Sequence, residues 1–404
     1  MKFYRLSPQE RRKILVSEGI KLSQVDNSIL ERLNNLSENV VGQVRFPLSV
    51  VKNLIVNNKS YWVPMSVEEP SVVAAANHGA NIFAKNGGIL AHSQRDGIYG
   101  QIVLKVGDNF NLADLKERFP QYLELANTKF SSLVRHGGGV RAITARQEDN
   151  LVYLKVLVDP AQAMGANKTN SILEFLSQKM ATLPNVKEKL FAILSNYPSQ
   201  LTTANVKLKV SSLGGLKTAQ KIALLSKIGN NDPYRAVTNN KGIMNGVDSV
   251  LIATGNDYRG VEAATAVLAS ESGQYRSLSS WQLEGQYLLG KLTLPLAIGT
   301  VGGSISARED IQQAFSILKG VNSAELANII AGVGLANNLA ALLAISTKGI
   351  QAGHMKLQAR NIVASLKATE AEREVVLAAM IKTKEFSQSK AEEILLKLRK
   401  KEES

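Results

Sequence analysis

The sequence predicts an α+β protein in which a large, mainly helical domain is interrupted by an inserted ferredoxin-like domain and followed by a small helical domain. Three observations carry this expectation. Residues 99–210 read as strand, helix, strand, strand, helix, strand, the split β-α-β order. Small, apolar, glycine-bearing helical text lies on both sides of that unit. From about Gln358 the chain becomes polar and rich in lysine and glutamate, without glycine or proline. The expected boundaries are 1–98 with 211–355 for the large domain, 99–210 for the insertion and 356–404 for the tail. A chain of 404 residues suits roughly two or three domains of about 150 residues.

Taken in order, the elements have physical reasons. Ser7-Pro8-Gln9-Glu10 is a helix start, with Ser7 as N-cap, Pro8 in the first turn and Glu10 reaching back as a capping box. A second helical pattern occupies Gln24 to Leu36. Pro70 suits the first turn of a helix with the body SVVAAANHGANIFAK, so Glu68 and Glu69 lie at its N-terminus, where carboxylates are favoured. Gly100–Val106 alternates as a strand, and Asn111–Ala126 reads as a helix. Val140–Arg146 and Leu151–Val158 read as strands joined by a QEDN turn, Ala166–Leu183 as a helix, and Asn205–Val210 as the unit's final strand.

Leu326–Ser346 is apolar over nearly the length of a membrane span. Asn328, Asn337 and Asn338 lie inside it with Gly332 and Gly334, and adjacent amides in mid-bilayer would need partners there. A buried helix of a soluble core is the expectation. The N-terminus MKFYRLSPQERRK has no apolar run of the secretory type, and a cytoplasmic location is expected.

Composition and motifs exclude several chemistries. Hydrophobic residues make up 45% and charged residues 20%, so a core of ordinary size can form. Without cysteine there is no disulfide framework, thiolate metal centre or cysteine nucleophile. His78, His92, His136 and His354 form no HxxxH or HExxH pair, and no metal site is expected. GxSxG, GxxxxGK[ST] and GxGxxG are all absent, so neither a nucleophile elbow, a P-loop nor an ordinary Rossmann loop is indicated. The net charge of +14 admits a basic nucleic-acid-binding protein as the alternative function. Aromatics are only 5%, however, and no basic stripe is interleaved with them.

What remains is a set of polar residues in small apolar text: Glu69, Lys241 in RAVTNNKGIMNGVD, and Asp257 in VLIATGNDYRGVEAA. One reading is a Lys–Asp–Glu network in an enclosed site, where a lysine stabilises an oxyanion and a carboxyl stays protonated near neutral pH. The other is an ordinary salt bridge near a helix end.

In order along the chain come ENVVG (38–42), VPMSVEEPSVVAAAN, AMGAN (163–167), RAVTNNKGIMNG, ATGNDYRGVEAA, AIGTVGG (297–303), GLANNLAAL and GHMKLQARNI. Together they resemble the hydroxymethylglutaryl-coenzyme A reductase family, in its soluble bacterial class II form. The resemblance implies reduction of 3-hydroxy-3-methylglutaryl-CoA by two hydrides to mevalonate and CoA, a reversible oxidoreductase step of the mevalonate pathway of isoprenoid biosynthesis. The family's catalytic residues match Glu69, Lys241, Asp257 and His354. Lys241 would stabilise the oxyanion, Asp257 would anchor Lys241, Glu69 would donate the proton and His354 would protonate the departing thiolate. Ser71, Arg235, Thr238, Asn245 and Asn338 match substrate contacts, with Arg235 gripping the free carboxylate.

The same resemblance makes the insertion the dinucleotide-binding domain, with Gln162, Met164, Gly165, Ala166, Asn167 and Lys168 as cofactor contacts at a helix start. Gln162 stands where the family's NAD-using members have an aspartate. Neutral there, and with Lys168 nearby, it favours NADPH, with NADH as the alternative. The tail is expected to act as a flap. The family's catalytic unit is a homodimer with an interface active site, which can enter a higher oligomer. No membrane or nucleic-acid partner is implied.

Overall fold

The computed structural model describes residues 2–303, 305–347 and 359–402. They form two compact units, Met1–Pro47 and Leu48–Ser404. In the first, α1 (Pro8–Ser17) opens with the expected capping box between Ser7 and Glu10, and α2 (Asn27–Asn34) is capped by Asp26. Arg11 is only 2% exposed. Its guanidinium donates to Asn34 Oδ1 at 2.7 Å and to the carbonyls of Phe3, Tyr4 and Val40. Arg12 donates to the Val41 carbonyl at 2.6 Å. Two arginines therefore pin the backbone of the ENVVG segment.

The second unit starts with a hairpin, β1 (Leu48–Val56) and β2 (Lys59–Ser66), turning at Asn57 and Asn58 with φ of 49° and 65°. Asparagine tolerates this left-handed two-residue turn. The sequence reading contains no hairpin here. A register shift between Val51 and Leu54 breaks the alternation that would have marked the first strand. Next come α3 (Val72–Ala84) and β3 (Leu90–Ser93).

The chain then leaves for the inserted unit. Its elements are β4 (Ile98–Val106), α4 (Leu112–Glu117), α5 (Phe119–Lys129), α6 (Ser131–Arg135), β5 (Gly139–Glu148), β6 (Leu151–Asp159), α7 (Ala166–Met180) and β7 (Val186–Leu194). The strands form one antiparallel sheet in the order β5-β6-β4-β7, the split β-α-β arrangement. The helix expected over 111–126 breaks at Arg118, because Pro120 lies in the first turn of α5.

One expectation needs correction. The fourth strand of this sheet is β7, and the segment expected there, Asn205–Val210, lies elsewhere. β8 (Leu201–Lys209) pairs with β3 in the order β3-β8-β10-β9, with β9 (Ser279–Glu284) and β10 (Tyr287–Pro295). β7 is an edge strand with Leu190, Phe191 and Ile193 exposed, so it lacks the apolar alternation that β8 shows. The inserted sheet therefore closes at Leu194, short of residue 210.

After β8 follow α8 (Leu216–Asn231), α9 (Pro233–Ala253) and α10 (Tyr258–Ser270), and after β10 come α11 (Glu309–Leu318) and α12 (Ser323–Ser346). α12 is the apolar stretch singled out above. It is long and apolar enough to cross a membrane, but it is packed inside the fold against α3, α8, α9 and several strands. A Cβ at Gly79 of α3 would lie 2.3 Å from the Ala336 carbonyl oxygen, so only glycine allows these two helices their close approach. Residues 359–365, Glu370–Thr383 and Gln388–Glu402 are helical and share a small core of Val363, Leu366, Val376, Met380, Ala391 and Leu395. The helical tail is thus present, while His354 and residues 348–358 lie outside the described residues.

Candidate active site

α9 begins where Asp232 accepts a hydrogen bond from the Tyr234 N–H, with Pro233 in the first turn. Residues three and four apart share a helix face. Arg235, Thr238, Lys241 and Asn245 accordingly form one stripe, and all four line a cavity of about 500 Å³. The β2–α3 connection brings Glu69 and Ser71 to the same cavity, and α12 brings Asn337 and Asn338. Glu69, Lys241 and all five expected substrate contacts are therefore gathered in one place.

The electrostatic centre is an ion pair, with Lys241 Nζ 2.6 Å from Glu69 Oε2. The Lys241 side chain is 59% exposed and that of Glu69 37%, so one chain alone does not supply the enclosure expected for a proton-donating carboxyl. Ser71 stands at φ 78° at the start of α3, and its hydroxyl is buried without a partner among the described residues. The side-chain oxygen of Asn337 is likewise buried and unpartnered, while its amide donates to the Val72 carbonyl. Burial pushes the Arg235 guanidinium below its ordinary range.

Asn338 lines the cavity with both ends of its amide already engaged. Its Oδ1 accepts from Trp281 Nε1 at 2.7 Å, and its Nδ2 donates to Asn239 Oδ1 at 2.9 Å. Asn239 also donates to the hydroxyls of Ser277 and Ser279, and its Oδ1 receives Arg235 at 3.5 Å. Asn338 thus holds Asn239, which faces Arg235. The sequence reading missed Asn239 and Trp281. An adjacent amide pair inside a helix, Asn239-Asn240, was the available signal. His78, which the sequence singles out only as lacking a metal-binding partner histidine, lines this cavity as well.

Asp257 is not beside Lys241, so the expected anchor is absent within one chain. Asp257 caps α10, accepting from the Gly260 N–H at 3.0 Å. The physical reason is the length of α9. From Lys241 to the end of the helix at Ala253 the backbone rises roughly 18 Å at 1.5 Å per residue. Asp257 instead lines a narrow depression with Met164, Asn196 and Tyr197.

Met164 leads into α7. Gly165 has φ 97°, and a Cβ there would meet Pro160 Cβ at 2.3 Å, so only glycine fits. No side chain caps α7, which leaves the first-turn N–H groups after Gly165 free for an anion. Asn167 is exposed next to Ala166, and the Lys168 ammonium lies 5.8 Å from the centre of the Phe130 ring. Gln162 is committed elsewhere: its side-chain oxygen accepts from the Ser323 N–H at 2.8 Å, at the start of α12. Beyond Met164 the depression shares Ser195 and Tyr197 with a cavity of about 560 Å³ on the open face of the inserted sheet. Among the described residues no histidine or carboxylate cluster fits a metal ion.

A family model described as hydroxymethylglutaryl-coenzyme A reductase matches residues 7–359. The chain is 34% identical to the 3-hydroxy-3-methylglutaryl-coenzyme A reductase of Archaeoglobus fulgidus, over 98% of this chain and 94% of that one. It is 36% identical to a probable enzyme of the same name from Borreliella burgdorferi, over 94% and 90% of the two chains. A solved Streptococcus pneumoniae reductase superposes with a TM-score of 0.75 at 37% identity, covering 98% and 99% of the chains. A class II structure from that organism, bound to NADPH in open conformations, superposes at 0.74 with the same identity over 97% and 99%.

Proposed function

The chain belongs to the hydroxymethylglutaryl-coenzyme A reductase family, and on that premise we propose how its residues carry out the reduction of 3-hydroxy-3-methylglutaryl-CoA to mevalonate and CoA. The observation that carries the assignment is the single cavity uniting Glu69, Lys241, Arg235, Ser71, Thr238 and Asn245. Nothing in the likenesses supports a nucleic-acid-binding role.

Arg235 binds the free carboxylate of the substrate through its planar fork, and Thr238, Asn245 and the unpartnered Ser71 hydroxyl hydrogen-bond its oxygens. Lys241 faces the thioester carbonyl and stabilises the negative charge that grows on its oxygen. Glu69, held at 2.6 Å from Lys241, supplies the proton to that oxygen. His354 protonates the departing thiolate.

The reduced nicotinamide supplies hydride when bound. The residues present fit its dinucleotide: α7 offers uncapped N–H groups behind Gly165 for a pyrophosphate, and the adjoining depression runs from Met164 to Asp257. Met164, Gly165, Ala166, Asn167 and Lys168 form this part of the site. NADPH is favoured over NADH, a reading supported by the NADPH-bound relative.

The separation of Lys241 from Asp257 supports a homodimer in which the Asp257 of a second copy faces Lys241. The second copy would also enclose the exposed ion pair, and the ENVVG segment with Glu38 and Asn39 would lie at that interface. With its most apolar helix buried, the enzyme is read as cytoplasmic, with the tail as a flap.

The test is oxidation of NADPH in the presence of the thioester, followed at its absorbance band. Lys241→Ala should lower kcat by about 10²–10³ or more while the protein stays folded. Activity within threefold of the unaltered enzyme would remove Lys241 from the mechanism.

A further inference from the structure

The cavity on the open face of the inserted sheet has a feature that the reaction above does not use. Register places Thr144, Lys155, Gln101 and Ile193 side by side across β5, β6, β4 and β7. Their neighbours in sequence, Ile143, Leu154, Val156 and Ile102, point to the opposite, buried face. Lys155 thus stands near the middle of an exposed sheet surface and lines the cavity. No carboxylate and no second cation lines it.

Two other basic groups of this sheet are already occupied. Arg141 is paired with Asp159 at 2.8 Å. Arg146 is paired with Glu148 at 2.6 Å and stacked 4.1 Å from the centre of the Tyr153 ring. The Lys155 ammonium has no ion pair or side-chain hydrogen bond among the described residues. One wall of the cavity is aromatic: Tyr99 and Tyr197 meet edge to face, with centroids 6.4 Å apart. Tyr197 and Ser195 also line the depression that holds Met164 and Asp257, so the two spaces adjoin.

Resting on the dinucleotide reading above, we propose that Lys155 is the residue that recognises the 2′-phosphate of NADP(H), in the position the sequence reading gave to Gln162. A pyrophosphate at the start of α7 and a nicotinamide near Asp257 leave the adenosine to the adjoining cavity. The Tyr99 and Tyr197 edge suits a purine. A ribose carrying a free 2′-hydroxyl is ordinarily selected by a carboxylate, whereas a 2′-phosphate needs a cation and is repelled by a carboxylate. This cavity has the cation and lacks the carboxylate. Gln162 has its oxygen on the α12 N-terminus and does not line the cavity.

The test is direct binding of two redox-inactive fragments, 2′-phospho-ADP-ribose and ADP-ribose, by titration calorimetry. Loss of one charge-assisted contact predicts that Lys155→Met weakens the phosphorylated fragment about ten- to a hundredfold and leaves ADP-ribose within about threefold. Lys155→Arg should retain most of the preference, and Gln162→Asp should leave it unchanged. The Lys155 side chain is exposed and lies outside the buried core, so the Met variant should melt close to the temperature of the unaltered protein. Equal weakening of both fragments, or none, overturns the assignment of Lys155. A preference that follows Gln162→Asp instead returns recognition to Gln162. If neither fragment binds the unaltered protein, or Tyr197→Ala leaves binding of both untouched, the placement of the adenosine falls and takes Lys155 with it.

Discussion

Asp248 lies on α9 one turn beyond Asn245 and meets Glu262 of α10. Burial and the neighbouring Glu262 carboxyl push Asp248 up from 3.8 to about 8. The folded chain therefore keeps a proton that the unfolded chain has released between those values. Stability falls as pH rises through that window and levels off above it. Asp248→Asn should flatten the decline, so the difference in Tm between pH 6 and pH 8 should shrink. An unchanged difference would mean that the pair does not share a proton. The site pair behaves otherwise. Glu69 and Lys241 are both partly exposed, and exposed pairs contribute little to stability. Lys241→Ala should therefore affect catalysis far more than folding.

At the scale of elements, α12 is held to the site by amides. Asn338→Leu would strip partners from the buried Trp281 N–H and from Asn239. Leaving such groups unsatisfied costs about 1–3 kcal/mol each. Arg235 loses the residue that Asn338 steadies, so KM for the thioester should rise while KM for NADPH changes little. Equal rises in both would show general loosening of the fold. The elements also show what was legible in advance. The helix start marked by Ser7 and Glu10 was readable, whereas Pro70, expected in the first turn of α3, lies ahead of it because Ser71 takes a left-handed conformation as the N-cap. β7 was not, because an edge strand with charges and apolar groups on its exposed face loses the period-two pattern. β1 was hidden by its bulge. Site motifs such as RAVTNNKGIMNG name residues that the fold gathers in one cavity. They did not reveal that Asn338 is taken by Trp281 or that Gln162 accepts from the Ser323 N–H in the first turn of α12, since those partners lie far away in sequence.

At the scale of the whole molecule, the decisive fact is that Lys241 and Asp257 belong to different cavities of one chain. If a second copy completes the site, two inactive variants should rescue each other. A mixed dimer of Lys241→Ala and Asp257→Ala chains has one site with both lesions and one with neither. Refolding an equal mixture makes about half the dimers mixed, so about a quarter of full activity should return. Complementation within a single chain would leave every site damaged, and the mixture would stay inactive. Measuring the mixture beside each variant alone decides between the two.

β3 and β8 are antiparallel neighbours, with His92 opposite Thr203 and Ser93 opposite Thr202. Everything between them leaves and rejoins the chain at two adjacent strand ends, with a second tie where Gln162 and Ala163 meet Thr300, Val301 and Ser323. The joint is secured by bonds to backbone carbonyls: Gln94 N–H donates to that of Leu201 at 2.8 Å, and the Arg95 guanidinium donates to those of Leu296 and Ile298, each at 2.8 Å. Burial pushes Arg95 down to about 10, which still leaves it charged at neutral pH. In architectural terms this is a hairpin whose loop has become a module. A tight turn spliced from Ser93 to Leu201 would restore a plain hairpin. The same two ends could carry an exchanged cassette from a relative with another dinucleotide preference, provided that it keeps the contacts of Gln162 and Ala163 with Ser323, Thr300 and Val301.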